Sequence, residues 1–500
     1  MQRPRFQNWS LRLLLILMTW GLLGPPPATA DVLQDAKDTD SIAPKTIQET
    51  FNKVFKLMRN SGALESINDE EWEQMEAEYR PRAEAATTNA QLRVVLNEMI
   101  ESLGKSHFAL IPKESQTDFL LEEQEAGNEA ETKDDEQAVE VTVSEPTKEV
   151  VEEAGPEVAD SQAPGDGRIG LHARFINGTF VVTRVVENTP AARAGIQPGW
   201  EITKIRKLDM ATLKDRFSDL DPSSMSGYNA NATINGLLSA EPETALSIGF
   251  KALDGAEVTR RVEAIPMAGE TMRFGNLGQM DVDTETEILD STDLAAMGIE
   301  TEGPLTIGLI RFNVWMAPIM QPINEAIETF RNQGVDAVVM DLRGNPGGLG
   351  GLSMGVGGHF LREPTSLGTM KNSYGELHFN TNPQTVSVSG ASVEPLGMPL
   401  FILVDSMSAS TSEIFAGGMQ EAERATVVGR RTPGMALPAV AIDLPNGDIF
   451  YYAIASYTLP SGAVIEGVGV TPQIPVKMTT EEFTESRDPD LAASIKALKD

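Results

Sequence analysis

A cluster of serines lies near the C-terminal end of the chain, directly after an apolar run. The run PLFILVD (399–405) predicts a buried strand, and it leads into SMSASTSE (406–413). Ser410 and Glu413 match the S-x-x-E capping box, in which both side chains satisfy free N–H groups at a helix start. The same N–H groups and the positive end of the helix dipole can also stabilise an oxyanion. The pattern therefore allows two interpretations, a structural helix start and a nucleophilic serine.

A serine nucleophile needs a base, and the chain offers four histidines, at positions 107, 172, 359 and 378. The absence of cysteine from all 500 residues excludes thiolate catalysis, disulfides and Cys-ligated zinc. No acidic or histidine cluster has metal-ligand spacing, and the glycine-rich run at 348–358 lacks the Lys-Ser/Thr ending of a phosphate loop. We expect no metal and no other cofactor.

Three ordered motifs carry a resemblance to a known family. DLRGNPGG (341–348), SASTSEIFAGGMQEAERATVVGRRTPG (408–434) and AVIEGVGVTP (463–472) resemble the carboxyl-terminal processing peptidase and tricorn superfamily of serine peptidases. The resemblance implies that Ser410 is the nucleophile of an acyl-enzyme mechanism. It also implies an oxyanion hole that combines the N–H of Thr411 with that of Gly347 or Gly348.

The base differs from that of the processing-peptidase branch. That branch places a lysine 25 residues after the serine, where this chain has Met435, so a Ser/Lys dyad is excluded at these positions. LNEMIESLGKSHFALIP (96–112) instead resembles the tricorn-like segment that supplies a Ser-His pair. By this resemblance His107 is the base, and Ser106 and Glu466 orient it. The rival hypothesis is a catalytically inactive binding or scaffold protein, which Met435 favours.

A second resemblance covers the middle of the chain. The Gly170-Leu171 pair, TPAARAG (189–195) and PGWEI (198–202) resemble a PDZ domain. Such a domain takes an extended peptide as an added strand and can hold its terminal carboxylate on the N–H groups of the Gly-Leu loop. The resemblance therefore implies peptide binding at Gly170 and Leu171 that recruits or gates protein substrates. The alternative is a module that only packs against its neighbours.

Periodicity predicts the elements that must position these residues. Apolar residues from Leu92 to Leu103 share one face of a helix, and the last 200 residues alternate apolar strands with helix-like segments. A hairpin signal stands at Asn446-Gly447. We expect a multidomain α/β protein, and the resemblance to the serine peptidases implies that its peptidase core is crotonase-like (ClpP-like). The predicted parts are a signal peptide (1–30), a helical domain (31–113), an acidic disordered linker (114–166), a PDZ domain (167–268), the peptidase core (269–480) and a C-terminal tail (481–500).

The N-terminus and the charge indicate location and partners. Three arginines precede an apolar run and an Ala28-Thr29-Ala30 site, the layout of a secretory signal peptide, so we expect an exported protein that is periplasmic or secreted. Its eleven-residue apolar run is shorter than the about 17 residues that a membrane span needs, so no stable span is expected after cleavage. Without the signal, 37 basic residues face 73 acidic ones, which argues against nucleic acid as a partner. Protein or peptide substrates are the expected partners.

Overall fold

A computed structural model describes residues 41–113, 160–161, 165, 167–217, 220–266, 269–273, 279–477 and 479–498. The predicted signal peptide lies outside the described residues, as does nearly all of the predicted acidic linker. Within the described ranges, no helix has both the length and the apolar character required to cross a bilayer.

The N-terminal helices share an apolar core. In chain order the elements are α1 (Pro44–Arg59), a 3-10 helix (Gly62–Leu64), α2 (Asp69–Glu84), α3 (Asn89–Glu101) and strand β1 (Phe108–Ile111). Apolar residues recur on one face of α1 and of α3, and both faces are buried in this core, which confirms the predicted face of α3. Leu437 and Phe450, from far along the chain, complete the same core. The helical region is therefore packed onto the C-terminal part of the molecule.

Residues 167–265, which we call the middle module, form a sheet flanked by helices. Its elements are β2 (Leu171–Ile176), β3 (Thr179–Val185), α4 (Pro190–Arg193), β4 (Glu201–Ile205), β5 (Leu208–Asp209), α5 (Met210–Phe217), α6 (Met225–Leu237), β6 (Ala245–Lys251) and β7 (Glu257–Glu263). The antiparallel sheet has the order β2-β3-β4-β6-β7, with β5 paired to β4. Strand β2 is thus an edge strand, and α6 packs beside it.

The C-terminal part is built on a mixed sheet of six strands. The strands of this part are β8 (Glu270–Arg273), β9 (Gln279–Val282), β10 (Thr284–Leu289), β11 (Ile307–Phe312), β12 (Ala337–Asp341), β13 (Ser366–Asn372), β14 (Gly375–Asn380), β15 (Leu400–Val404), β16 (Thr426–Gly429), β17 (Ala439–Asp443), β18 (Ile449–Ala453), β19 (Ser456–Thr458) and β20 (Ile474–Pro475). The mixed sheet has the order β10-β11-β12-β15-β16-β20, in which β10 is antiparallel to its neighbour and the other five strands are parallel. Every residue of β12 and β15 is buried, as parallel strands covered on both faces require.

Helices cover both faces of this sheet. They are α7 (Ser291–Ala296), a 3-10 helix (Ala317–Ile319), α8 (Met320–Gln333), α9 (Gly350–Gly357), α10 (Thr411–Glu421), α11 (Thr480–Glu485) and α12 (Pro489–Ala497). α8 and α10 contribute to the larger apolar core, and α11 and α12 contribute to a separate core on the opposite face. The segment predicted as a C-terminal tail therefore includes two helices that pack on the sheet. The molecule as a whole is a multidomain mixed α/β protein.

A small sheet joins the two ends of the chain. β17 and β18 pair antiparallel, which confirms the hairpin predicted at Asn446-Gly447, and Gly447 adopts a φ of 91° in its turn. β1 adds to the free edge of β18, with Ala109 opposite Tyr451. Because His107 immediately precedes β1, this pairing carries the histidine from the N-terminal helices into the C-terminal part.

A buried ionic network anchors the last helix. Arg343 contacts Asp341 at the end of β12, and it also contacts Asp488 and Asp490 at the start of α12. Arg430 contacts Asp490 as well. Arg343 and the neighbouring Arg311 hold the pKa of Asp341 well below its usual range, because nearby positive charge favours the ionised form over the opposing effect of burial. The network ties α12 to the loop that follows Asp341.

Candidate active site

Ser410 stands at the start of α10 in a strained backbone conformation. Its φ of 54° and ψ of −117° are uncommon for a residue with a side chain, and such strain is concentrated at functional sites. The residue is 1% exposed, and its hydroxyl has no hydrogen-bond partner in the described part of the chain. The Ser410 N–H is engaged, since it donates to the Met435 carbonyl (2.8 Å) and to Glu413 (3.1 Å). Its hydroxyl is therefore the group left free to react.

Glu413 forms the carboxylate half of the predicted capping box and also fixes a second loop. Besides the Ser410 N–H, its carboxylate accepts hydrogen bonds from Thr432 Oγ1 (2.6 Å), the Gly434 N–H (2.8 Å) and the Met435 N–H (2.8 Å). Complete burial raises the pKa of Glu413 to about 7, against the opposing effect of these donors. This carboxylate holds the loop that carries Met435 against the start of α10.

Met435 stands at the sequence position where the resemblance to the processing-peptidase branch would put a lysine base, and its carbonyl contacts the Ser410 N–H. Its side chain is buried in an apolar cluster with Tyr228, Met407 and Ala409. A thioether cannot take a proton from a serine near neutral pH. The serine in this chain therefore needs a base from another direction.

The glycine loop after β12 lies directly over Ser410. A Cβ added to Gly347 would stand 2.6 Å from the Ser410 Cβ, and its φ of 103° also favours glycine. The Gly347 N–H donates to Asn345 Oδ1 (2.9 Å), so it is already used. The N–H groups of Gly348 and Thr411 have no partner among the residues that the structure describes. Thr411 Oγ1 donates to the Gly348 carbonyl (2.8 Å), which fixes these two residues relative to each other.

His107 is linked to Glu466 through the hydroxyl of Ser106. Ser106 Oγ lies 2.6 Å from His107 Nδ1, and it donates to Glu466 Oε2 at 2.9 Å. The Ser106 N–H donates to Glu466 Oε1 (2.8 Å). Because the hydroxyl proton goes to the carboxylate, the oxygen can only accept from the histidine, which assigns the ring proton to Nδ1. Nε2 is then the unprotonated nitrogen, able to act as a base.

Burial shifts the pKa values of His107 and Glu466. It lowers the pKa of His107 to about 4, so the imidazole is neutral at neutral pH. Burial also raises the pKa of Glu466, while hydrogen bonds from Ser106 and Ala436 oppose the effect. The ring of His107 packs 5.9 Å from that of Tyr451, whose buried hydroxyl has no hydrogen-bond partner in the described ranges. A neutral imidazole therefore lies in an environment from which water is largely excluded.

One short segment contacts both the start of α10 at Ser410 and the hydrogen-bond chain that includes His107. The Met435 carbonyl accepts from the Ser410 N–H, and the next residue, Ala436, donates its N–H to Glu466 Oε2 (3.2 Å). Gly434, on the other side of Met435, accepts from the Gly467 N–H (2.8 Å). Residues 434–436 thus connect the nucleophile turn to the Glu466-Ser106-His107 hydrogen-bond chain.

The other histidines have different surroundings. His359 Nε2 lies 2.8 Å from Asn324 Oδ1, and the exposed His378 contacts Thr369 on the β13-β14 hairpin (2.9 Å). His172 lies on β2 of the middle module. In the described ranges, no group of three or more histidine, aspartate or glutamate side chains could hold a metal ion.

The predicted peptide-binding residues lie at the start of β2. Gly170 has a φ of 80°, and its carbonyl accepts from the Val186 N–H (2.9 Å). A Cβ there would collide with Thr189, which explains the glycine. Leu171 is buried and pairs with Val185 of β3. Both residues belong to the middle module, on a different element from the catalytic candidates.

Two further residues support the glycine loop and were missed by the sequence analysis. Asn345 accepts from the Gly347 N–H, and its amide donates to the Phe312 carbonyl (2.8 Å). Asp405 accepts from the Gly344 N–H (3.0 Å) and pairs with Arg174 of the middle module (2.7 Å). Asn345 lies inside the quoted DLRGNPGG motif, so its position carried a signal. The pairing of Arg174 with Asp405 spans 231 positions and has no signal in the sequence.

Comparisons with family models find two matching regions. Residues 306–476 match the family described as peptidase family S41, and residues 43–101 match the tricorn protease C1 domain. The first region contains the glycine loop, α10 and Glu466. The second ends six residues before His107.

Several carboxyl-terminal processing proteases are similar in sequence. The Synechocystis sp. protease is 28% identical over 203 residues, which are 41% of this chain and 45% of the relative. The Bartonella bacilliformis protease is 24% identical over 347 residues, 68% of each chain. Carboxyl-terminal-processing peptidase 3, chloroplastic, of Arabidopsis thaliana is 25% identical over 315 residues, 62% of this chain and 54% of the relative. The matched regions thus span about half to two thirds of these relatives.

Solved structures share the fold. The photosystem II D1 C-terminal processing protease gives a TM-score of 0.51 at 17% identity, covering 91% of this chain and 98% of that chain. Mature CPAF gives a TM-score of 0.51 at 12% identity, covering 91% and 96%. At these identities the likeness establishes the fold alone.

Proposed function

We propose that this chain, whose residues 306–476 match peptidase family S41, is a serine endopeptidase that uses Ser410, His107, Ser106 and Glu466. One observation carries the proposal. An uninterrupted hydrogen-bond chain from Glu466 through Ser106 to His107 approaches the segment that holds the start of α10, where the Ser410 hydroxyl has no partner within the described ranges. The arrangement supports a base with a fixed tautomer on one side of residues 434–436 and an available serine hydroxyl on the other; the proposal is that the two meet when substrate binds.

The proposed reaction runs through an acyl-enzyme. His107 Nε2 takes the proton of Ser410 Oγ as this oxygen attacks the carbonyl carbon of the scissile peptide bond. The negative oxygen of the tetrahedral intermediate accepts hydrogen bonds from the N–H groups of Gly348 and Thr411. His107 then gives its proton to the leaving amine, the C–N bond breaks, and water hydrolyses the ester by the same route.

Ser106 and Glu466 position the base in this proposal. The Glu466 carboxylate is linked to His107 through the Ser106 hydroxyl, so it acts on the imidazole indirectly. When Nε2 gains a proton, the imidazolium is stabilised by the nearby negative charge. Of the two glycines proposed for the oxyanion hole, Gly348 is favoured because the N–H of Gly347 is held by Asn345.

The remaining parts of the proposal concern architecture and location. We assign the middle module as a PDZ domain that recruits or gates protein substrates, and the C-terminal part as a crotonase-like peptidase core. The helical N-terminal region supplies His107 and Ser106. Export rests on the signal-peptide pattern of residues 1–30.

A fluorophosphonate probe tests the proposed function directly. The mature chain should be labelled at one site, and labelling should be lost in Ser410→Ala and fall steeply in His107→Ala. The matched controls are Ser389→Ala and His378→Ala, which change the same residue types at exposed positions. Cleavage of fluorescein-casein should likewise be lost in Ser410→Ala, fall steeply in His107→Ala and stay unchanged in the two controls. A chain that is folded but neither labelled nor proteolytic would support the rival, an inactive binding or scaffold protein, which Met435 favours.

A further inference from the structure

The outer edge of β2 is already occupied by side chains of α6. The Ala173 N–H donates to Asn235 Oδ1 (3.1 Å), and Asn235 Nδ2 donates back to the Ala173 carbonyl (2.9 Å). The Phe175 N–H donates to Asn231 Oδ1 (2.6 Å). These are backbone groups of an edge strand, the kind with which an added peptide strand would pair. The two asparagines therefore take the place of a peptide.

The same asparagines contact the turn that carries Ser410. Asn231 is fully buried, and its Nδ2 donates to Ser406 Oγ (3.1 Å). Asn235 Nδ2 lies 3.8 Å from Met407 Sδ. Tyr228, one turn before Asn231 on α6, is fully buried in the cluster with Met407 and Ala409. One side of α6 is thus bonded to β2 while the helix also rests on residues 406–409.

Strand β2 is tied to the same turn from its own side. Arg174 is 4% exposed and donates from Nε to Asp405 Oδ2 (2.7 Å). The other oxygen of Asp405 accepts from the Met407 N–H (2.9 Å) and the Gly344 N–H (3.0 Å). Positive charge from Arg174 and these hydrogen bonds lower the pKa of Asp405 against the opposing effect of its burial. The groove between β2 and α6 is thus lined by two elements, and both of them contact the segment between β15 and Ser410.

We propose that the asparagine side chains of α6 occupy the edge of β2 to which a peptide strand would add, and that Asn231 couples this edge to residues 405–410, which we call the Ser410 turn. A paired strand lies about 4.8 Å from its neighbour, in the space that the asparagine side chains fill. The Asn231 oxygen would have to release the Phe175 N–H before a peptide could bind it. A peptide strand added to β2 and the present contacts of α6 with the Ser410 turn therefore compete for the same backbone groups. By linkage, peptide binding disfavours these contacts by the same free energy by which the contacts disfavour peptide binding.

Amide hydrogen exchange tests the occupied edge without any catalytic readout. In the full mature chain the Phe175 amide should be protected, and Asn231→Ala should accelerate its exchange roughly tenfold, as the loss of one buried hydrogen bond implies. The Ala173 amide, held by Asn235, should change less. Asn229→Ala, at an exposed position of the same helix, is the matched control and should leave both amides unchanged. Unprotected Phe175 in the wild type, or equal rates in Asn231→Ala and wild type, would overturn the proposal.

Peptide binding tests the coupling from the other end. The probe is a fluorescein-labelled ten-residue peptide ending in Ala-Leu-Ala with a free carboxyl terminus, titrated by fluorescence anisotropy. Ser406 lies outside the groove. Ser406→Ala should nevertheless lower the Kd of the peptide several-fold, because it removes the hydroxyl that accepts a hydrogen bond from Asn231. Asn231→Ala should tighten it further, and Asn229→Ala should not. Absence of a gain in both Ser406→Ala and Asn231→Ala refutes the coupling.

The two proposals fail separately. The groove experiments need no active serine, so loss of fluorophosphonate labelling would refute the proposed function and leave the groove result standing. Conversely, a labelled and proteolytic chain whose Phe175 amide is unprotected would keep the function and refute the occupied edge. Thermal unfolding of each variant establishes that it is folded before either comparison is made.

Discussion

Replacing Ser106 by alanine removes the one hydroxyl that connects His107 to Glu466. In the variant the Glu466 carboxylate keeps the backbone N–H groups of position 106 and of Ala436, so the loop around it has reason to stay in place. The imidazole, by contrast, loses the hydrogen bond that its Nδ1 makes with the hydroxyl. The change therefore separates the orientation of the base from the integrity of the surrounding fold.

The size of the effect follows from the bonds that are lost. The hydroxyl donates to a carboxylate at 2.9 Å and accepts from the imidazole at 2.6 Å, both in a buried setting. Hydrogen bonds to charged groups contribute about 1.5–3 kcal/mol each, and part of the second is recovered by other contacts, so we expect about 2–4 kcal/mol of lost transition-state stabilisation. At about 1.4 kcal/mol per decade, kcat/KM should fall about 30- to 1,000-fold.

The assay is kcat/KM for fluorescein-casein, together with the rate of fluorophosphonate labelling. Ser102→Ala is the control, because Ser102 is exposed four residues earlier and its hydroxyl donates to the Met99 carbonyl (2.7 Å), away from the site. The loss should appear in kcat and in the labelling rate, with KM little changed, because the hydroxyl is assigned to the base and not to the substrate. If Ser106→Ala worked as fast as Ser102→Ala, the hydrogen-bond chain would have no catalytic role and the reasoning would be wrong.

Three further predictions concern pH, the glycine loop and the last helix. Burial lowers the pKa of His107 to about 4, and the neutral form is the base, so kcat/KM should rise with pH through a midpoint near 4; a midpoint at 6.5 or above would contradict the buried environment. Gly347→Ala should reduce labelling by more than about 100-fold, because the new Cβ would stand 2.6 Å from that of Ser410, whereas Gly255→Ala, with open space around it, should not. Asp490→Ala should lower the free energy of unfolding by about 3 kcal/mol, measured in urea, because it removes a fully buried carboxylate and leaves two partly buried arginines short of a partner; an unchanged midpoint would show that the network does not anchor α12.

The start of α10 shows what a local pattern can and cannot determine. The spacing of Ser410 and Glu413 predicted a helix start, and a helix does begin there, with the Glu413 carboxylate on the Ser410 N–H. The serine hydroxyl takes no partner within the described chain, and Glu413 binds three more donors between residues 432 and 435. Those donors lie 19 to 22 positions away, beyond the reach of a helix-start motif. The position of the helix was therefore predictable, and the free hydroxyl was not.

The middle module shows the same division. Apolar alternation, visible in the sequence, predicts strand β3, whereas the left-handed φ of Gly170 and the collision that a Cβ would make there with Thr189 are known only from the structure. The asparagines of α6 are ordinary polar residues by type, and nothing in their spacing distinguishes a solvated face from one that fills a strand edge. Their burial depends on how α6 meets β2 and the Ser410 turn, which is a matter of packing between segments.

By itself the sequence determined which residue types were available, and it indicated local features such as the apolar face of α3, the β17-β18 hairpin and the start of α10. Hydroxyl, imidazole and carboxylate groups are properties of single residues, and helix starts, strands and turns depend on neighbours a few positions apart. Only the tertiary structure decided that Ser106 meets Glu466 across 360 positions, because that contact requires β1 to pair with β18. It also decided which N–H groups stay free and that burial keeps His107 neutral, since both depend on what surrounds a group in space.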